Sequence, residues 1–139
     1  MTKEEELSRY LTQIEQYKEQ INTLEMQSSY IQSAILDYNK AKITLENLNN
    51  ADKDNNVLIP IGGSTFINAK AADTSKVLFD IGNGIVTEKN YDDAIKKIDE
   101  RTEDLQKTQE NIVSMIQKLQ YEAEEISAKA QEIYQNQKE

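Results

Sequence analysis

The sequence predicts a mainly α-helical protein with a small β part, in which two long helices pair as an antiparallel coiled coil and two β-hairpins lie at the end that connects them. Three observations support this. Apolar residues recur at intervals of three and four from Leu7 to Leu45, and again from Tyr91 to Ile133, which is typical of a coiled coil. The two segments are nearly equal in length. The short β-rich stretch between them contains all four glycines of the chain.

We divide the chain at the ends of these segments: residues 1–50 as the first coiled-coil helix, 51–89 as a linker with two hairpins, and 90–139 as the second helix. The first helix, from Glu4 to about Leu48, lacks glycine and proline and is rich in good helix formers. Thr2 and Glu5 have the spacing of a capping box at its start. The Asn- and Asp-rich run at 47–56 ends it, because such side chains compete for backbone hydrogen bonds and favour turns.

Two hairpins are predicted within residues 57–88. VLIPI and STFINAK flank Gly62-Gly63, and KVLFDI and IVTE flank a second glycine-containing turn at 82–84. Leu58 and Leu78 make their strands apolar on both faces, and such strands need cover on both faces. We therefore expect the hairpins to join those of other subunits in a shared sheet or barrel. The residues assigned to this assembly surface are Val57, Ile59, Ile61, Phe66, Ile67, Val77, Phe79, Ile81, Ile85 and Val86.

The second helix is predicted from Asn90, a good N-cap, to about Gln135. Asp92 and Asp93 suit the positive end of the helix dipole. Polar residues interrupt both apolar stripes and are expected to loosen the packing locally. These residues are Ser28 and Lys42 in the first stripe, and Thr102 and Gln109 in the second.

Composition excludes most catalytic and cofactor-dependent functions. Histidine and cysteine are both absent, so the usual zinc sites, Ser-His-Asp triads and Cys-His pairs cannot form. The two glycine turns lack a phosphate-loop pattern, and clustered acids on a helix point in different directions and are read as solvated faces. We predict no enzyme activity, no cofactor and no metal.

Charge and hydropathy give expectations about location and partners. The formal net charge of -9 opposes binding to nucleic acid. Residues 1–8 lack the apolar core of a signal peptide, and no apolar run approaches the ~18 residues that cross a membrane. We therefore expect a cytoplasmic protein with no membrane partner.

The free ends of the two predicted helices carry the candidate binding surface. Apolar residues at the end of a coil are the least completely buried, and burying a Leu or Ile is worth about 1.5–3 kcal/mol. The alternative, that these residues simply pack on each other, stays open. The candidates are Leu7, Tyr10, Leu11 and Ile14 from the first helix, with Ile126, Ile133 and Tyr134 from the second.

The middle of the chain supplies a family resemblance. The segment VLIPIGGSTFINAKAADTSKVLFDIGNGIVTEK, followed by a helix that opens NYDDAIKKIDER, resembles the α-class subunit of prefoldin, and Val77–Glu88 is the closest stretch. The likeness covers essentially the whole chain, and two hairpins are the mark of the α class, whereas the β class has one.

The resemblance implies a hetero-hexamer of two α-class and four β-class subunits, whose hairpins form a double β-barrel. The coiled-coil tips would hold unfolded polypeptides and deliver them to a group II chaperonin without ATP. The seven free-end residues would then bind these clients. A structural adaptor that holds one folded partner is the main alternative, and a periplasmic holdase would need a signal peptide that the sequence lacks.

Overall fold

The computed structural model describes residues 2–50 and 56–138. Two helices of 48 residues, α1 (Lys3–Asn50) and α2 (Tyr91–Lys138), stand before and after four strands. The strands are β1 (Asn56–Gly62), β2 (Thr65–Lys70), β3 (Lys76–Asp80) and β4 (Val86–Asn90). The predicted fold of two long helices with two small antiparallel hairpins is confirmed. Residues 51–55 of the predicted linker lie outside the described residues.

Both predicted helix caps are present. The backbone N–H of Glu5 donates to Thr2 Oγ1 at 3.2 Å, and that of Thr2 donates to Glu5 Oε2 at 3.4 Å, which is the reciprocal pattern of a capping box. The N–H of Asp93 donates to Asn90 Oδ1 at 2.8 Å. Asn90 is also the last residue of β4, so α2 begins directly at the end of the second hairpin.

The chain packs as two compact units. The terminal unit comprises Met1–Ala34 and Leu105–Glu139, and the hairpin unit comprises Ile35–Asp104. The terminal unit therefore contains the free ends of both helices. The hairpin unit contains the rest of both helices and all four strands.

Two side-chain pairs show the antiparallel register of the terminal unit. Gln109 Nε2 donates to Ser28 Oγ at 2.7 Å, and Tyr17 lies near the Glu122 carboxylate. Desolvation raises the pKa of the Tyr17 phenol, and the interaction with Glu122 raises it further. Ser28 and Gln109, each predicted only as an interruption, thus face each other across the seam.

The pairing of Ser28 with Gln109 is incomplete, because Gln109 Oε1 is shielded from solvent and finds no hydrogen-bond partner in the described structure. An unsatisfied buried acceptor costs about 1–3 kcal/mol. We therefore expect Gln109→Leu to stabilise the terminal unit by about 1 kcal/mol, since Ser28 can bond a carbonyl one turn back. Thermal unfolding followed by circular dichroism measures this. Gln106→Leu makes the same change at an exposed position of α2 and should leave the midpoint unchanged; a lower midpoint for Gln109→Leu would contradict the prediction.

The core of the hairpin unit lies along one face of α2, where Ala94 and Ile98 are 0 % and 2 % exposed. At its surface, Lys42 Nζ lies 2.8 Å from Asp99 Oδ1. This hydrogen bond raises the pKa of Lys42 above its usual value. Lys42, a polar interruption in the sequence, therefore links α1 to α2.

Each hairpin closes with left-handed backbone. In hairpin 1 (β1 and β2), Gly63 and Ser64 have φ values of 56° and 58°. In hairpin 2 (β3 and β4), Asn83 and Gly84 have φ values of 53° and 74°. A turn in which both central residues have positive φ is a type I′ turn, and its twist matches the twist of the two strands that it joins.

The predicted strand IVTE starts one residue late, at Val86. Ile85 instead belongs to the turn, since its N–H donates to the Gly82 carbonyl at 3.0 Å and its carbonyl accepts from Ile81 N–H at 2.9 Å. An extra residue also interrupts hairpin 1, where the register shifts between Pro60 and Gly62. The second hairpin otherwise pairs regularly, with Leu78 opposite Glu88.

Gly82 has φ of 116°, a backbone conformation that an L side chain rarely adopts, although an added Cβ would meet no atom within 4 Å. We expect Gly82→Ala to destabilise hairpin 2 by about 1–3 kcal/mol through backbone strain alone. Hydrogen exchange of the β3 and β4 amides measures this. Ser64→Gly places glycine at a position of positive φ in hairpin 1, so it should stabilise that hairpin and slow the exchange of its amides. Unchanged exchange in Gly82→Ala would contradict the prediction.

Candidate functional site

Hairpin 1 is exposed on both of its faces. Leu58 and Phe66, on one face, are 65 % and 55 % exposed, and Ile59 and Ile67, directly opposite each other on the other face, are also exposed. A two-stranded sheet with two open apolar faces is marginal in water. The hairpin therefore offers two apolar surfaces for contact with another chain.

Hairpin 2 is covered on one face only. Val77 and Phe79 are half-buried, whereas Leu78 between them is 70 % exposed. The covered face borders a solvent-open groove of about 360 Å³ that is also lined by Tyr38 of α1 and Ile98 of α2. The helices of the hairpin unit thus supply half of the cover that this hairpin needs.

The predicted assembly surface is mostly open. Three of its ten residues, Val57, Val77 and Phe79, are half-buried. The other seven are exposed, namely Ile59, Ile61, Phe66, Ile67, Ile81, Ile85 and Val86. Open apolar area on short strands with free edges is typical of strands that pair with another chain.

The seven candidate binding residues lie together in the terminal unit, and we call them the free-end surface. Continuing the register set by Tyr17 and Ser28 places Leu7 and Tyr10 beside residues 127–132 of α2. Leu11 and Tyr134 are 52 % and 51 % exposed. The other five are half-buried, namely Leu7, Tyr10, Ile14, Ile126 and Ile133. None of the seven is fully buried, so the surface is partly covered and partly open, and binding at this surface stays a prediction.

The sequence interpretation missed polar groups beside this surface. Gln13 Oε1 is shielded from solvent and has no hydrogen-bond partner within the described residues. The guanidinium carbon of Arg9 lies 5.8 Å from the centroid of the Tyr10 ring. Neither feature has a sequence signature, because each depends on how side chains orient at the end of the seam.

An open groove of about 890 Å³ also lies in the terminal unit, between α1 and α2. Leu24, Met115 and Leu119 line its apolar part, and Glu19 and Lys118 are among its polar lining residues. Met115 is half-exposed, and methionine adapts to partners of irregular shape. The apolar stripe predicted Leu24 and Leu119 but gave no sign of Met115, which lies outside it.

Within residues 2–50 and 56–138, no group of three or more acidic, histidine or cysteine side chains is placed to hold a metal ion. In that same part of the chain, no helix is long and apolar enough to span a membrane. Tyr121 has a raised pKa because its hydroxyl hydrogen-bonds to the Glu125 carboxylate. The open apolar surfaces of hairpin 1 and of the free ends are suited to binding through apolar contact.

Comparisons with known proteins agree with one another. A family model described as "Prefoldin subunit" matches residues 17–136. A prefoldin subunit alpha of Methanococcus aeolicus is 30 % identical over 92 % of this chain and 87 % of that protein. One from Methanopyrus kandleri is 31 % identical over 75 % of this chain and 66 % of that protein. The cryo-EM structure of filamentous PFD from Methanocaldococcus jannaschii matches 91 % of this chain and 98 % of that one, with a TM-score of 0.60 and 24 % identity.

Proposed function

Because the chain belongs to the prefoldin family, whose members form multi-subunit chaperone complexes with other prefoldin subunits, we propose that it is the α-class subunit of an ATP-independent holdase. In this role it binds unfolded polypeptides and passes them to a group II chaperonin in the cytoplasm. No nucleotide, metal or other cofactor takes part.

Assembly takes place through residues 51–89, which form the body of a hetero-hexamer of two α-class and four β-class subunits. The observation that supports this is the open apolar surface of hairpin 1, on which Leu58 and Phe66 are more than half exposed. A barrel shared among subunits would cover both faces of such strands and remove their free edges. Residues 1–50 and 90–139 then form one coiled coil for each subunit.

Client binding takes place at the free-end surface, and one observation carries this proposal. The seven apolar residues at the free ends are only partly covered by one another, with Leu11 and Tyr134 more than half exposed. When an unfolded chain covers the exposed part of these apolar side chains, the free energy of the complex falls. Several such surfaces in one complex act together, so each can be weak while the complex holds a client firmly.

Native mass spectrometry of the full-length chain, tagged and recovered from the cells that produce it, tests the assembly. Two copies with four copies of a second, slightly smaller coiled-coil subunit support the proposal. A homodimer, or a fixed complex with one folded partner, would favour a structural adaptor and remove the support for client binding at the free ends.

A further inference from the structure

Arg101 of α2 contacts one aromatic ring from each of two other elements of the hairpin unit. Its Cζ lies 5.9 Å from the ring centroid of Tyr38 in α1 and 5.7 Å from that of Phe79 in β3. Its Nη1 also donates a hydrogen bond to Tyr38 Oη at 3.3 Å. A single side chain therefore joins both helices and hairpin 2.

Arginine suits this position better than lysine does. Its guanidinium is planar and weakly hydrated, so it stacks on aromatic faces while it donates hydrogen bonds in its own plane, whereas an ammonium is a compact and strongly hydrated charge. Arg101, Tyr38 and Phe79 are all half-buried, which strengthens the attraction between the cation and the rings. Arg101→Lys keeps the charge and loses this geometry.

Apolar contact between hairpin 2 and the helices is incomplete. A groove of about 360 Å³ that is open to solvent lies at this junction, lined by Tyr38, Val77 and Phe79. Side chains along an open groove have packing partners on one side only, so they restrain the orientation of the hairpin less than a closed core would. The two cation–π contacts of Arg101 add directional restraint at this place.

We propose that Arg101 is a positioning residue that holds hairpin 2 on the two helices in the orientation that a second subunit binds. Because Val77 and Phe79 face the helices, the opposite face of the hairpin presents Leu78 and Val86, which are 70 % and 56 % exposed. The proposal rests on the proposed function in so far as that face contacts another subunit.

The test is a competition for incorporation into the complex. Wild-type and Arg101→Lys chains, both full-length and with tags of different mass, are produced together in the cells that make the protein, and native mass spectrometry counts each in the complex. We expect the variant to be incorporated about tenfold less, the size of effect that two lost cation–π contacts give. Phe79→Leu, which removes one ring but keeps an apolar side chain, should act in the same direction.

Arg9→Lys is the matched control. Arg9 and Arg101 are the only arginines of the chain, and Arg9 also stacks on a tyrosine, but in the terminal unit. We expect Arg9→Lys to be incorporated as well as wild type. Equal incorporation of Arg101→Lys and wild type overturns the proposal, and so does an equal loss in both variants.

A second readout separates positioning from general stability. Hydrogen exchange of the full-length chain should quicken in β3 and β4 of Arg101→Lys, while the amides of α2 exchange as in wild type. Exchange that is unchanged in the hairpin overturns the positioning role. If the wild-type chain is recovered without other subunits, the proposed assembly fails, and faster hairpin exchange in the variant would still support the role of Arg101 in holding hairpin 2.

Discussion

Replacing Leu7, Leu11 and Ile133 with serine should abolish the suppression of client aggregation while leaving assembly intact. Each of these side chains is only partly covered in the terminal unit, so a bound client can cover the rest. Full burial of such a side chain is worth about 1.5–3 kcal/mol, so three half-covered ones together contribute roughly 2–4 kcal/mol per subunit, or about 30- to 1,000-fold in affinity. The loss multiplies when several subunits hold one client.

The measurement is light scattering of a denatured protein diluted into buffer with the assembled complex. A matched control replaces Met26, Tyr30 and Val113 with serine, three exposed apolar residues of the same unit that lie away from the free ends. The free-end variant replaces two strong helix formers and the control replaces one, so circular dichroism is used to check that both variants keep their helix content. If the free-end variant suppresses aggregation as well as wild type does, or if the control loses as much, client binding at the free ends is wrong.

Local sequence signals predict most of the secondary structure, because they act within a few residues. The spacing of Thr2 and Glu5 predicts a capping box, and the residue type of Asn90 predicts an N-cap; both caps are found. The glycine turns place both hairpins correctly. The start of β4 is displaced by one residue because Ile85 is needed to close the turn with Gly82, a choice that β-propensity does not reveal.

The sequence does not predict which side chains of distant segments contact each other. The sequence predicts Ser28 and Gln109 only as separate interruptions of the two stripes, and the register between the helices is needed to show that Gln109 donates a hydrogen bond to Ser28. The same holds for Arg101, whose two rings come from α1 and β3. For the free-end surface, periodicity predicts which residues face the seam. How far each side chain is covered depends on its neighbours across the seam. Whether Gln13 Oε1 finds a hydrogen-bond partner depends on those neighbours too.

Replacing Ile67 with aspartate should release the chain from its complex without melting its helices. Ile67 lies opposite Ile59 on an apolar face of hairpin 1 and is about half exposed in the single chain, so the added carboxylate is hydrated there. In the proposed assembly the same position is covered. An uncompensated charge buried in such an interface costs about 3–5 kcal/mol, which weakens assembly by a factor of roughly 100 to several thousand.

Sedimentation velocity of the full-length chain with its partner subunits measures this, and Asn111→Asp is the control. That change adds the same charge at an exposed position of α2 in the terminal unit, away from the hairpins.

The effect of Ile67→Asp should also depend on pH. Burial raises the pKa of the introduced carboxyl in the assembled state above its value of ~3.9 in the free chain. Assembly should therefore be weakest at neutral pH and recover as the pH falls through the raised pKa, and the recovery is complete only below the free-chain pKa of ~3.9, where the group is neutral in both states. A variant that assembles like wild type at pH 7, or one whose assembly does not improve on acidification while wild type remains assembled, would show that this face of hairpin 1 is not buried between subunits.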